Sequence, residues 1–168
     1  HKVQHAMIAA CCDQRWWATA HDKLLFHALM QAHGLSVPHT QAVFHPARSL
    51  PGAAHLATPD QLREFLQAGA RYPLFGKPCT GMWSVGAVSL AGIAADAGLV
   101  VAANGQEPTL DQTVAEISTF REQGYLLQDR LQPHPRVAAM IGDRVATVRL
   151  ILIQGEAGPE PYKALWKI

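Results

Sequence analysis

Between Gly69 and Pro78 the chain places a short apolar run, Tyr72–Lys77, and follows it at once with a turn carrying Gly81 and Gly86 and a second apolar run near Ala87–Leu90. A strand, a glycine-bearing turn and another strand in direct succession make a strand-loop-strand element, because so short a return joins antiparallel neighbours. Around it the signals run helix, strand, helix, hairpin, strand, helix, strand, strand. That order lacks the regular βαβα alternation of a doubly wound parallel sheet, so the expected class is α+β, antiparallel sheet elements with packed helices.

Local signals place the other elements. Asp22–His33 repeats apolar residues at Leu25, Phe26, Leu29 and Met30 and stops at Gly34, which is helix periodicity with Asp22 as N-cap and a glycine C-cap. Thr40–Phe44 reads as a strand. Thr58-Pro59-Asp60-Gln61 and Thr109-Leu110-Asp111-Gln112 both carry a capping box, opening helices that end near Ala68 and Gly124. Leu99–Ala103 and Tyr125–Gln128 read as short strands, and Arg136–Ile141 as a brief helix. Ala146–Ile153 reads as a mostly buried strand with Arg149 in its middle, and Ala164–Ile168 as a last strand. The candidate boundary is the proline-rich stretch Pro46–Pro59, so a front segment, 1–57, is expected to lead into a domain over 58–168.

Composition narrows the partners. With 49% hydrophobic and 16% charged residues, 168 residues bury the core of one ordinary domain, and a net charge of +1 supplies no field to gather nucleic acid or an anionic membrane. The uncharged run Pro78–Ala95 is interrupted by Pro78, Gly81, Gly86 and Gly92 and makes a poor lipid-facing helix. Three cysteines without a CxxC pair fit a reducing compartment, and a cytoplasmic location is expected. The start at His1 shows no signal-peptide pattern and reads as cut.

Tyr72–Gly86 also has the composition of a phosphate site. Lys77 ends an apolar strand just before a loop with Thr80, Gly81, Ser84 and Gly86. Glycines allow close backbone approach, successive N–H groups form an anion-binding concavity, and a lysine supplies a mobile positive charge. The order differs from GxxxxGK[ST], where the lysine follows the glycines, and no GxGxxG is present. A tight hairpin with a surface lysine is the competing reading of this segment alone. Trp83 at the loop tip either packs under the hairpin or closes over a ligand.

Taken together, Asp22-Lys23 opening a helix, Gly34-Leu-Ser-Val-Pro38 closing it, Phe75-Gly-Lys-Pro78 with its glycine loop, and Tyr125-Leu-Leu-Gln-Asp-Arg-Leu131 resemble the ATP-grasp superfamily. The closest likeness is to its sugar-transfer-associated branch, where a segment like Gln132-Pro-His-Pro135 precedes one like Ala146-Thr-Val-Arg-Leu150. The resemblance implies ATP as ligand. Lys77 would contact the α- and β-phosphates, with Thr80–Gly86 as the loop over them and Lys23 in support. Gln128, Asp129, Arg130 and Leu131 would lie beside the adenine, His134 near the ribose, and Arg149 near the transferred phosphate as the catalytic group. The implied activity is an ATP-dependent carboxylate–amine or related ligase acting through an acyl phosphate, in polysaccharide or sugar-transfer biosynthesis. The alternative is a non-catalytic nucleotide-binding or interaction module.

Each residue also has a plainer reading: Lys23 and Asp129 as solvated charges, Arg149 in a structural ion pair, His134 as an exposed loop residue, and Cys79 as structural. The implied magnesium needs oxygen ligands, and the family's acidic and Asn ligands are expected beyond Ile168, with the C-terminal subdomain incomplete. Histidines recur every six residues from His21 to His45, but six residues advance a helix by about 600°, so neighbours point roughly 240° apart and make no zinc site.

Overall fold

The computed structural model describes residues 2–81, 83–94 and 98–168; Met82 in the glycine-bearing turn and Ala95 at the end of the uncharged run lie outside the described residues. The chain divides into two compact units, residues 1–130 and 131–168. The division falls after Arg130 rather than at residue 57, because the strands of the front segment belong to the same sheet as those that follow.

In the first unit, helix α1 (Lys2–Cys11), a single 3-10 turn (Gln14–Trp16) and α2 (Trp17–His21) precede α3 (Lys23–Ala32). Asp22 caps α3 as expected, its carboxylate accepting from the N–H groups of Leu24 and Leu25 at 3.0 and 3.1 Å, and Gly34 leaves the helix at φ 68°. The buried face differs from the one expected. Leu24 and His27 point inward while Leu25 and Phe26 are exposed. The rotation is set at the first turn, where the Lys23 N–H donates to the Cys79 carbonyl at 2.8 Å and ties the helix to the sheet.

Six strands form one sheet, β1 (Thr40–Phe44), β2 (Ala54–Leu56), β3 (Leu74–Pro78), β4 (Val88–Ala94), β5 (Leu99–Ala102) and β6 (Tyr125–Asp129), in the order β2-β1-β6-β3-β4-β5. β1 and β2 are parallel and every other pairing is antiparallel, so the sheet is mixed and the class is α+β. Helices α4 (Pro59–Glu64), continued by a π turn over Phe65–Gly69, and α5 (Leu110–Ser118) both start at capping boxes, on Thr58 with Gln61 and Thr109 with Gln112.

These helices cover one face of the sheet. Leu62, Leu66, Leu110, Val114 and Ile117 pack on Phe44, Leu74, Leu90, Tyr125 and Leu127, each side chain contributing roughly 1.5–3 kcal/mol by leaving water. On the other face Leu24 packs with Val43, Leu50, Cys79 and Leu126. Lys77 stands opposite Leu126, and Phe75 opposite Gln128 and Ser89, on this second face. Both are only half-buried, so the helical cover is incomplete over β3. That opening lies beside Lys77 and the loop that follows it.

The second unit contains α6 (Pro135–Ile141) and a hairpin of β7 (Thr147–Gly155) and β8 (Gly158–Lys167). β7 is exposed from Thr147 to Gln154, contrary to the buried strand expected from its apolar run, because among the described residues its strand partner is β8 alone. Among the described residues no helix is long and apolar enough to cross a membrane.

Candidate anion-binding groove

Strand alternation explains why Lys77 is available at all. Gly76 and Pro78 face the sealed core side, and Lys77 between them faces the opening, with Phe75 two residues back on the same side. Gly76 cannot carry a side chain here, since a Cβ would sit 2.6 Å from the Tyr125 ring and 2.9 Å from Val88.

After Pro78 the chain turns out of the sheet into a loop whose two stems are fixed. At the first stem Cys79 donates its N–H to Gly124 O and accepts from Lys23 N–H, each at 2.8 Å. At the second, the buried Tyr125 hydroxyl donates to Gly86 O at 2.6 Å and the Phe120 ring fills the space beside Gly86. Between the stems Trp83 and Ser84 hold φ of 66° and 60°, the left-handed region that costs a non-glycine residue about 1–2 kcal/mol. Trp83 is 91% exposed, so it neither packs under the hairpin nor rests on a protein surface.

Loop, strand and helix together enclose a groove of about 220 Å³ lined by Lys23, Phe75, Lys77, Thr80, Gly81 and Trp83, with Ser84 and Val85 at its rim. Two ammonium groups therefore reach one small space from α3 and β3. The Lys23 Nζ donates to Gly81 O at 3.1 Å, and among the described residues neither lysine forms a salt bridge. The nearby carboxylate of Asp22 is already taken: it caps α3 and pairs with Arg48 at 2.7 Å. Burial pushes its pKa up, but those hydrogen bonds and the Arg48 charge outweigh burial and hold it below the ordinary value. For Lys77, burial first and the positive charge of Lys23 second lower the pKa below 10.5. An arriving anion would relieve that repulsion. Cys79 lies buried behind the groove with its thiol pushed up to about 11 by burial, and is a neutral structural group.

Beneath the groove sits a polar trio. The Gln128 Nε2 donates to Thr40 Oγ1 at 2.9 Å, and both approach His27 Nδ1, at 3.5 and 3.4 Å. With Nδ1 facing the Gln128 amide as an acceptor, the ring proton falls on Nε2, which has no partner among the described residues. Burial first, then the charges of Lys77 and His39, lower the His27 pKa below 6.5, and burial also lowers that of His45. For a histidine depressed on folding, the unfolded chain takes up a proton first as pH falls through 6.5, so stability declines with acidification down to the folded-state pKa. We expect the urea midpoint to drop between pH 7.5 and pH 5.5, and His27→Leu to flatten that dependence, leaving the part due to His45; an unchanged pH dependence in the variant refutes the assignment.

The strand expected beside a base is largely committed inside the protein. The Gln128 side chain is buried in the trio, and the Asp129 carboxylate accepts from Gln41 Nε2 at 2.6 Å and lies 3.4 Å from Arg71 and 3.5 Å from His39. The N–H groups of Asp129 and Arg130 donate to His39 O and Pro73 O at 2.9 and 3.1 Å. Arg130 also lines a separate cavity with Ser89, Asn104 and Glu116. Leu131, His134 and Arg149 belong to the second unit. There His134 caps α6, its Nδ1 accepting from Arg136 N–H at 3.2 Å, and Arg149 stands opposite Leu165 in the exposed hairpin.

Of the predicted residues the structure thus assembles Lys23, Lys77, Thr80, Gly81 and Ser84 around one opening, with Gly86 at its fixed stem. Sequence reading gave no site role to Phe75, His27 or Thr40, and set Gln128 beside a base rather than in a trio with the last two. Phe75 could have been found from alternation with Lys77, whereas the trio joins residues distant in sequence and leaves no local signal. The groove residues offer ammonium groups and hydroxyls, and among the described residues no cluster of three His, Cys, Asp or Glu side chains could hold a metal. Comparison with family models, with characterised proteins and with solved structures gives no match.

Proposed function

We propose that the groove receives the phosphates of ATP and that the chain is the nucleotide-holding portion of an ATP-grasp-type enzyme. The observation that carries the reading is the convergence of Lys23 and Lys77, without a carboxylate partner among the described residues, on an opening bordered by a glycine-bearing loop. Two like charges held together in the free protein raise its energy, and a polyphosphate between them turns that repulsion into attraction. The roughly 220 Å³ opening suits a phosphate group or two, with the rest of the nucleotide extending outward.

In a ligase of this kind a substrate carboxylate attacks the terminal phosphorus while its bond to the bridging oxygen breaks, leaving an acyl phosphate and ADP. Here Lys77 would offset the charge growing on the departing diphosphate, and Lys23 would hold the loop carbonyl and a phosphate oxygen in turn. The Ser84 hydroxyl supplies a further donor, and the Thr80 hydroxyl, which donates to Gln123 Oε1 at 3.3 Å, would exchange that partner for a phosphate oxygen.

The test is amide hydrogen exchange. Magnesium-ATP at millimolar concentration is expected to slow exchange across 80–86 and at the first turn of α3, which share the Lys23–Gly81 hydrogen bond. Unchanged exchange in both segments at that concentration removes the basis for the proposal.

A further inference from the structure

The loop holds one residue whose position neither the fold nor the two lysines explain. Trp83 is 91% exposed, lies in the left-handed region together with Ser84, and lines the same opening as Lys23 and Lys77. An indole this exposed is stabilised by leaving water if its side chain turns onto the groove. The stems cannot follow, since Cys79 is bonded on both sides and Gly86 is wedged against Phe120 beneath the Tyr125 hydroxyl. The walls of the groove thereby stay in place while the Trp83 side chain turns. Indole Nε1–H is a donor with no acceptor capacity, suited to a phosphate oxygen, and its ring face attracts ammonium groups.

We infer that Trp83 is a phosphate-capping residue: on binding of a polyphosphate the indole turns over the Lys23–Lys77 groove, donates Nε1–H to a phosphate oxygen and covers the lysines from water. This rests on the proposal that the groove takes a polyphosphate, and it adds that the aromatic contact is made to the phosphates and not to a base. The contact would bind ligand without taking part in bond breaking.

The experiment compares inorganic tripolyphosphate with ATP on wild type, W83F and W83A by calorimetric titration. Trp83→Ala is expected to weaken both ligands to a similar degree, by about threefold to tenfold. In wild type, the part of the tryptophan emission that W83F removes should shift to the blue and become less accessible to acrylamide when tripolyphosphate is added. An unchanged affinity in W83A overturns the inference, as does a loss confined to ATP, which would assign the ring to the base. Because the side chain is almost fully exposed, the thermal midpoint of W83A should equal that of wild type, separating a binding loss from a folding defect. If wild type binds neither ligand, it is the polyphosphate reading of the groove that fails; if wild type binds and W83A binds equally, only the cap fails.

Discussion

Gly86→Ala is expected to destabilise the protein by about 2–5 kcal/mol, the sum of a left-handed backbone penalty and an overpacked side chain. Gly86 sits at φ 72°, and an added Cβ would lie closest to Cζ of Phe120, 2.6 Å from its Cε2 and 3.0 Å from its Cε1. Phe120 has little room to retreat because its ring packs on Tyr125 at a centroid separation of 5.9 Å, and Tyr125 is fully buried with its hydroxyl bound to Gly86 O. The collision therefore passes into the core under the sheet. Gly105→Ala separates the two causes: φ there is 81° with nothing within 4 Å, so that variant carries the backbone penalty alone, about 1–2 kcal/mol. Urea unfolding of both variants at unchanged m measures the difference. Equal midpoints for the two would show that Phe120 yields freely and that the second stem of the loop is not fixed.

That stem illustrates what the sequence could and could not convey. Thr58 with Gln61, Thr109 with Gln112, and Asp22 with Gly34 mark helix ends through contacts that span three or four residues, and the structure contains each of them where local reading places it. The strands from Leu74 to Ala102 were legible for a similar reason, since glycine and proline punctuate them. Which face of α3 turns inward was not, because the decision is made by Cys79 O, far along the chain from the Lys23 N–H it receives. The parallel partner of β1 was missed as well. Ala54–Leu56 is only three residues long, and two of its three side chains are exposed, so it has no periodic signature. β7 failed in the opposite sense: an apolar run reads as buried whether or not anything covers it, and within its unit its only strand partner is β8.

The groove itself was half legible. Lys77 followed by glycines and hydroxyls carries a phosphate-site composition whatever the fold, and the antiparallel return of β4 is what makes the intervening loop overhang the lysine. The arrival of Lys23 depends on the docking of α3. Only the structure supplies that, and only the pair of charges distinguishes this opening from a surface hairpin with one solvated lysine. Strand β6 shows the reverse: the resemblance puts Gln128 and Asp129 beside a base by their position, yet their side chains are spent on His27, Thr40, Gln41 and Arg71.

Lys77→Met should therefore move binding and stability in opposite directions. Removing a charge-assisted contact to phosphate is expected to weaken tripolyphosphate and ATP by roughly 10- to 100-fold. The same change removes from the free protein a half-buried ammonium that is short of solvent and repelled by Lys23, and leaves an unbranched apolar chain beside Phe75, so the urea midpoint without ligand should rise. The pH dependence checks the cause. Because the folded-state pKa of Lys77 lies below its ordinary 10.5, the unfolded chain holds more protons between the two values, and wild-type stability should climb with pH through that window. Lys77→Met should lose that climb. Lys23→Met should reduce it, since burial remains after the neighbouring charge is gone, and should weaken binding less than Lys77→Met because Lys23 divides its donors between the ligand and Gly81 O. A Lys77→Met variant that binds tripolyphosphate like wild type, or that is less stable without ligand, contradicts the account of Lys77 as a charge held in place for an anion.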